Sequence, residues 1–150
     1  MSLLERAIAL AVEKHAGQTD RVGAPYILHP LRVMFRVEGD LDRTVAILHD
    51  VVEDTDVTFD DLRAMGFSEA VIAALDGVTR RDDETYEEFV ERSAANPVSM
   101  RVKLADLEDN MDLRRLVQPL REKDLERLNR YRSAYARLKR GRLPSDANSC

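Results

Sequence analysis

The sequence offers little from which a disulfide, a membrane span or a polyanion-binding surface could be made. Its one cysteine, Cys150, is the last of 150 residues, so no disulfide can form within the chain. That suits a reducing, cytoplasmic compartment. No apolar run approaches the ~20 residues that a membrane helix needs. Glu5 and Arg6 interrupt the first apolar stretch, which leaves no cleavable signal pattern. Positive charge is not in excess either. The formal net charge is −5, which argues against wholesale nucleic-acid binding. Tryptophan is absent, and the few glycines and prolines cluster between periodic segments. Scarce breakers in those places favour an all-helical domain.

What is present is organised around Thr44–Asp56, TVAILHDVVEDTD. Val45, Ala46, Ile47, Leu48, Val51 and Val52 suit a helix buried on most sides. Asp42 or Thr44 is placed to cap it. His49 and Glu53 then stand one turn apart, as do Asp50 and Asp54. Ionised carboxylates in an apolar setting are costly unless paired or bound to a metal. This face therefore meets several cations or holds an ion.

The remaining segments read as a bundle. Residues 1–142 are expected to form one domain and 143–150 a flexible tail. Ser2 caps a first helix that Gly17 ends. The stretch 17–30, GQTDRVGAPYILHP, reads as an ordered loop leading into a helix with Pro30 in its first turn. His29 then stands at the helix entrance, able to point into a cleft or simply to cap. Arg21 in this loop could reach a phosphate or lie in solvent. Thr58 and Ser68 open short helices ending at Gly66 and Gly77. Arg80 and Arg81 sit in a polar loop, VTRRDDE, where they could meet an anion or remain a solvated charge run. Thr85 starts the next helix. Pro97 opens another that carries Asp106, Asp109 and Asn110 on one face. Asp106 has apolar neighbours and is a ligand candidate, whereas Glu108 and Asp109 read as solvent-facing. Pro119 opens a last, basic helix with Leu120, Leu125, Leu128, Tyr131, Tyr135 and Leu138 as its packing stripe. A solvated outer helix is the plainest reading of it, and an interface between copies of the chain stays open.

His29, His49, Asp50 and Asp106 come from three helices. Two imidazoles with two carboxylates suit Mn²⁺, Fe²⁺ or Zn²⁺ better than an all-oxygen Mg²⁺ or Ca²⁺ site. Four protein ligands leave positions open for a water and a substrate oxygen. Glu53 and Asp54 are placed either to take a proton from that water or to pair with nearby arginines; spacing does not separate the two.

Five motifs run in order along Leu3–Leu116: HAGQ at 15–18, GxPYxxHP at 23–30, LHDVVEDT at 48–55, DGVT at 76–79 and KLAD…N at 103–110. Together they resemble the HD superfamily of metal-dependent phosphohydrolases, and within it the hydrolase domain of the RelA/SpoT family. The resemblance implies an all-α HD-domain helical bundle with Mn²⁺ held by His29, His49, Asp50 and Asp106. It implies that Glu53 and Asp54 orient and activate the attacking water, and that Asn110 contacts substrate. It also implies a small-molecule nucleotide substrate, (p)ppGpp, cleaved to GDP or GTP and pyrophosphate by a small alarmone hydrolase without a synthetase half. Two departures stand out. A basic pair expected before GxPY reads Asp20-Arg21. Arg, His and Thr positions of the KLAD motif read Leu107, Asp109 and Leu113. Arg21, Arg80 and Arg81 are candidates for the distal phosphates. Hydrolysis of another phosphorylated nucleotide (an adenine alarmone, NADPH or a nucleoside monophosphate) therefore stays open, as does a non-catalytic binding module with a relict site.

Overall fold

The computed structural model describes residues 1–141; the expected tail at 143–150, with Cys150, lies outside the described residues. Among the described residues the chain is helical, with no strand beyond an isolated bridge between Thr19 and Pro25. The order is α1 (Leu3–Lys14), α2 (Leu28–Phe35), α3 (Asp40–Leu48), α4 (Val51–Asp54), α5 (Phe59–Ala64), α6 (Glu69–Val78), α7 (Tyr86–Ala94), α8 (Pro97–Asn110) and α9 (Glu122–Arg140). A 3₁₀ turn, Leu113–Arg115, precedes α9. Side-chain oxygens of Ser2, Thr58, Ser68, Thr85 and Asn96 accept from backbone N–H groups at the starts of their helices. No helix among the described residues is long and apolar enough to cross a membrane.

The centre of the bundle is α3. Val45, Ala46, Ile47 and Leu48 are fully buried, and α1, α2, α6 and α8 pack around them. The main apolar cluster draws on α1 to α6 together with Val102 and Ala105 of α8. A smaller cluster joins Val90 of α7, Leu104 and Leu107 of α8, and Ala134 and Leu138 of α9. Both clusters share α8, so its apolar residues do not fall on one stripe.

The structure corrects three expectations. The stretch Thr44–Asp56 is not one helix. His49 is the C-cap of α3 and Asp50 the N-cap of α4, so the chain breaks at the His-Asp dipeptide. α3 begins four residues before Thr44, after Gly39 with φ +82°. Asp42 does not cap it. Its buried carboxylate accepts from Arg101 Nε at 2.5 Å and Nη2 at 3.0 Å, tying α3 to α8. Second, α9 starts at Glu122 rather than at Pro119. Leu120, just before it, and Leu125 in its first turn are exposed; Leu128, Tyr131 and Tyr135 are half-buried, and within the packing stripe only Leu138 is fully buried.

Third, Gly77 does not end its helix. It lies inside α6, where α8 approaches so closely that a Cβ would stand 2.3 Å from Ser99 Oγ and 2.8 Å from its Cβ. Ser99 cannot rotate away freely, because its hydroxyl donates to the Ala74 carbonyl at 2.7 Å. Gly77→Ala is therefore expected to cost about 1–3 kcal/mol. A fall in the thermal midpoint followed by circular dichroism checks this; an unchanged midpoint would mean that the α6–α8 crossing gives way at no cost.

Candidate metal centre and cavity

Four side chains converge where α2, the α3–α4 break and the end of α8 meet. His29 enters from the first turn of α2. Its Nε2 lies 2.9 Å from Asp106 Oδ1 and 3.7 Å from Asp50 Oδ2. His49 Nε2 lies 3.0 Å from Asp50 Oδ2 and 3.4 Å from Asp106 Oδ1. Donor atoms of His29, His49 and Asp50 all stand within 4.8 Å of one another. His29, His49 and Asp106 are buried, and Asp50 nearly so.

The ring orientations carry the chemistry. His49 Nδ1 is 2.6 Å from the Ala46 carbonyl oxygen, which can only accept, so Nδ1 carries the proton. His29 Nδ1 is 2.7 Å from Asp109 Oδ2, again an acceptor, so it too is the N–H. In the neutral rings both Nε2 atoms then present lone pairs, and both face carboxylate oxygens. His49 Nε2 is buried without a hydrogen-bond partner. Lone pairs facing lone pairs in a buried site repel unless a cation lies between them. A proton is one solution: the carboxylates outweigh burial and raise both imidazoles above the ordinary histidine value. A divalent ion is the other. With metal–ligand bonds of about 2.1 Å, neighbouring donors stand about 3.0 Å apart on an octahedron and about 3.4 Å on a tetrahedron. Three of the four distances, 2.9, 3.0 and 3.4 Å, match that spacing and the His29–Asp50 distance of 3.7 Å is longer; two imidazoles with two carboxylates suit a transition ion.

Surrounding groups hold this set in place. Tyr26 donates to Asp50 Oδ2 at 2.5 Å. Burial, then Asp50, push its phenol well above the usual tyrosine value, so it stays a donor. The buried Lys103 ammonium donates to Asp106 Oδ2 at 3.0 Å and lies over the Phe89 ring, 4.9 Å from its centroid. Burial acts to raise the Asp106 carboxyl; Lys103 and the two histidines outweigh it and hold that carboxyl well below the usual range. Asn110 Nδ2 donates to Asp106 Oδ1 at 3.0 Å.

A cavity of about 930 Å³ opens beside the four donors, lined by the 19–22 loop, α8, the 112–121 segment and the start of α9. Glu53 lines it and accepts the Arg80 backbone N–H at 2.9 Å. Asp54 is not among the lining residues. Neither carboxylate is ion-paired among the described residues, so the arginine-pairing alternative is not what the fold uses. Partial desolvation, with the charge of Asp50, raises both above the ordinary carboxylate range, although the Arg80 N–H opposes this at Glu53. Arg21, Arg80 and Asn110 line the cavity; Arg81 does not, and its guanidinium is bonded to Asp76 at 3.0 and 3.3 Å. Asp20 has a local reason to be acidic. Its Oδ1 accepts from the backbone N–H groups of Val22 and Ala24 at 3.0 and 2.9 Å and braces the loop.

Tyr26, Lys103 and Asp109 were not legible as site residues from spacing. Tyr26 had a signal in the PY of its loop. Lys103 stands one turn before Asp106, which was also visible. Asp109 is the clear reversal. Expected in solvent, it is fully buried, and hydrogen bonds from His29 and Arg32 overcome burial to hold its carboxyl at about 2.

Helices in this order, with a His-Asp dipeptide at a break facing a second histidine and a second aspartate, define a helical domain of the HD type. No family model matches the sequence. Curated relatives do. A guanosine-3′,5′-bis(diphosphate) 3′-pyrophosphohydrolase of Aquifex aeolicus is 34% identical over 72% of this chain. A probable GTP pyrophosphokinase of Mycobacterium leprae is 36% identical over 79% of it. The bifunctional (p)ppGpp synthase/hydrolase SpoT of Escherichia coli is 34% identical over 72%. The chain spans only 17% of the length of each. A solved structure, described as a metazoan ortholog of SpoT that hydrolyses ppGpp, superposes with a TM-score of 0.77 at 24% identity. The match covers 94% of this chain and 87% of that one, and it shows the shared fold. The chain is thus similar in sequence to one stretch of these RelA/SpoT-type proteins, and it shares the all-helical fold of the solved SpoT ortholog.

Proposed function

We propose that this domain removes the 3′-pyrophosphate of (p)ppGpp, giving GDP or GTP and pyrophosphate, with a divalent transition ion, Mn²⁺ first among them, at His29, His49, Asp50 and Asp106. The observation that carries the reading is the pair of Nε2 lone pairs turned toward two carboxylates at close to 3 Å. When bound there, such an ion would acidify a water and neutralise phosphate charge. Glu53, on the wall of the same cavity with one oxygen fixed by the Arg80 N–H, is the base that accepts the water's proton. Asp54, one position on and outside the lining, supports it electrostatically. Attack on the proximal phosphorus breaks its bond to the ribose 3′-oxygen, which leaves and takes up a proton. The test is purified protein with ppGpp and Mn²⁺, followed for pyrophosphate, with and without chelator. Pyrophosphate release that chelator abolishes is the expected result. No release of pyrophosphate from ppGpp under these conditions would overturn it.

A second reading has one observation in its favour. Leu113, Leu116 and Val117 line part of the cavity, and Leu113 stands where the family resemblance expects a threonine. An apolar wall lacks hydrogen-bond readout of a base edge, so a nucleotide other than guanine fits this wall as well. An adenine alarmone, NADPH and a nucleoside monophosphate in the same assay separate the readings.

The cavity's cations support a multiply phosphorylated substrate. Arg21, Arg80 and Arg130 line it without an ion pair among the described residues. Arg80 and Arg130 both lie over the Tyr86 ring, 6.0 and 5.1 Å from its centroid. A charge-assisted hydrogen bond from such a guanidinium contributes about 1.5–3 kcal/mol. Arg130→Ala is expected to raise KM for ppGpp about 10-fold or more while leaving kcat nearly unchanged. Steady-state kinetics checks it, and an unchanged KM removes α9 from the substrate site.

A further inference from the structure

We infer that Asp109 is the positioning residue that sets metal affinity through His29. This rests on the reading above, in which His29 is a metal ligand. His29 Nδ1 donates to Asp109 Oδ2 at 2.7 Å, and that bond turns Nε2 toward Asp50 and Asp106. A carboxylate behind a ligating imidazole fixes its tautomer and raises its basicity. Asp109 is suited to the role because it cannot move. It is fully buried, and its Oδ1 accepts from Arg32 Nε at 2.8 Å and Arg115 Nη1 at 3.3 Å. Arg115 also bonds the Asp109 backbone carbonyl at 2.8 Å. The position is one of this chain's departures, an aspartate where the family resemblance expects a histidine. A histidine there could meet His29 only as a neutral acceptor. The aspartate meets it with a full negative charge.

Arg32 and Arg115 also line the cavity. Asp109 therefore stands between the ligand and two guanidiniums that face the substrate side. A purely structural Asp109 would serve only to anchor those arginines, and the two roles separate experimentally.

Mn²⁺ affinity of the full chain is measured by isothermal titration for the wild type, Asp109→Asn and Arg115→Ala, with helix content followed by circular dichroism. Asp109→Asn is expected to weaken Mn²⁺ binding about 10–100-fold in a folded protein, and Arg115→Ala to change it far less. A folded Asp109→Asn with wild-type affinity overturns the inference, as does an Arg115→Ala that loses as much. Wild-type protein that takes up no Mn²⁺ overturns instead the reading on which it rests. If Asp109→Asn does not fold, the wild type itself decides. Long-range ¹H–¹⁵N spectra should place the His29 proton on Nδ1, with the Nε2 resonance shifting when diamagnetic Zn²⁺ is added. A neutral ring with its proton on Nε2 and none on Nδ1, or an Nε2 that Zn²⁺ leaves unmoved, overturns it.

Discussion

Asp50→Asn is expected to abolish metal uptake and turnover together. The substitution keeps the size of the side chain and removes its charge. Asp50 Oδ2 is the oxygen closest to His49 Nε2, at 3.0 Å, and it is also the acceptor for Tyr26. An amide there turns either a neutral oxygen or an N–H toward the ion's place, and neither offsets the cost of bringing a divalent charge into a buried site. Turnover should fall at least about 10³-fold, because the acidified water and the neutralised phosphate are lost at once. A second readout separates this from misfolding. Without an ion, Asp50 pairs with His49 and accepts from Tyr26, and against burial His49 above all holds its carboxyl at about 2, so removing the charge also removes a stabilising contact. The metal-free variant should therefore keep its helix content and cooperative melt while melting somewhat lower than the metal-free wild type. Elemental analysis and thermal melts measure both quantities. Stoichiometric Mn²⁺ with wild-type kcat in Asp50→Asn would sink the ligand assignment.

Glu53→Gln should do the opposite to the metal and nearly the same to the rate. Glu53 touches none of the four donors, so the ion should still bind. The lost group is the proposed base, and a positioned base is worth about 10²–10⁴-fold in rate. The glutamine can still accept the Arg80 N–H, so the loop should keep its place. Asp54→Asn should cost much less, because its side chain lies outside the cavity lining. The check is kcat at saturating Mn²⁺ for both variants beside their bound metal. If Asp54→Asn is the dead one and Glu53→Gln keeps its rate, the two roles are exchanged.

Much of this centre was legible in the sequence, because its four donors sit in compact motifs whose order and residue types are distinctive. The helix starts were legible for a local reason: Ser2, Thr58, Ser68 and Thr85 cap through atoms within three residues of themselves, and Pro97 marks the first turn of α8. What was not legible depends on which group each face meets in the folded chain, in most cases a partner distant in sequence. The break at His49 interrupts an apolar run that spacing alone continues. Asp109 shares its face of α8 with Asp106, and only the approach of α2 decides that it is buried against His29. Gly77 has the look of a helix end until α8 is seen to press on it. Arg81 and Arg80 are neighbours in a charge run, yet only Arg80 faces the cavity, since Asp76 takes up the other. Spacing gives the face a residue occupies, and the neighbouring helix decides what that face meets.

The two histidines are held by different means, and this bears on how the site can evolve. His49 takes its orientation from the Ala46 carbonyl, a main-chain atom that nearly every residue at that position would supply. His29 takes its orientation from a side chain, which a single codon change can replace. One half of the centre is thus buffered against mutation, while the other carries a tunable element. On the proposed metal reading, descendants of this sequence could drift in metal affinity through position 109, with the four proposed ligands unaltered.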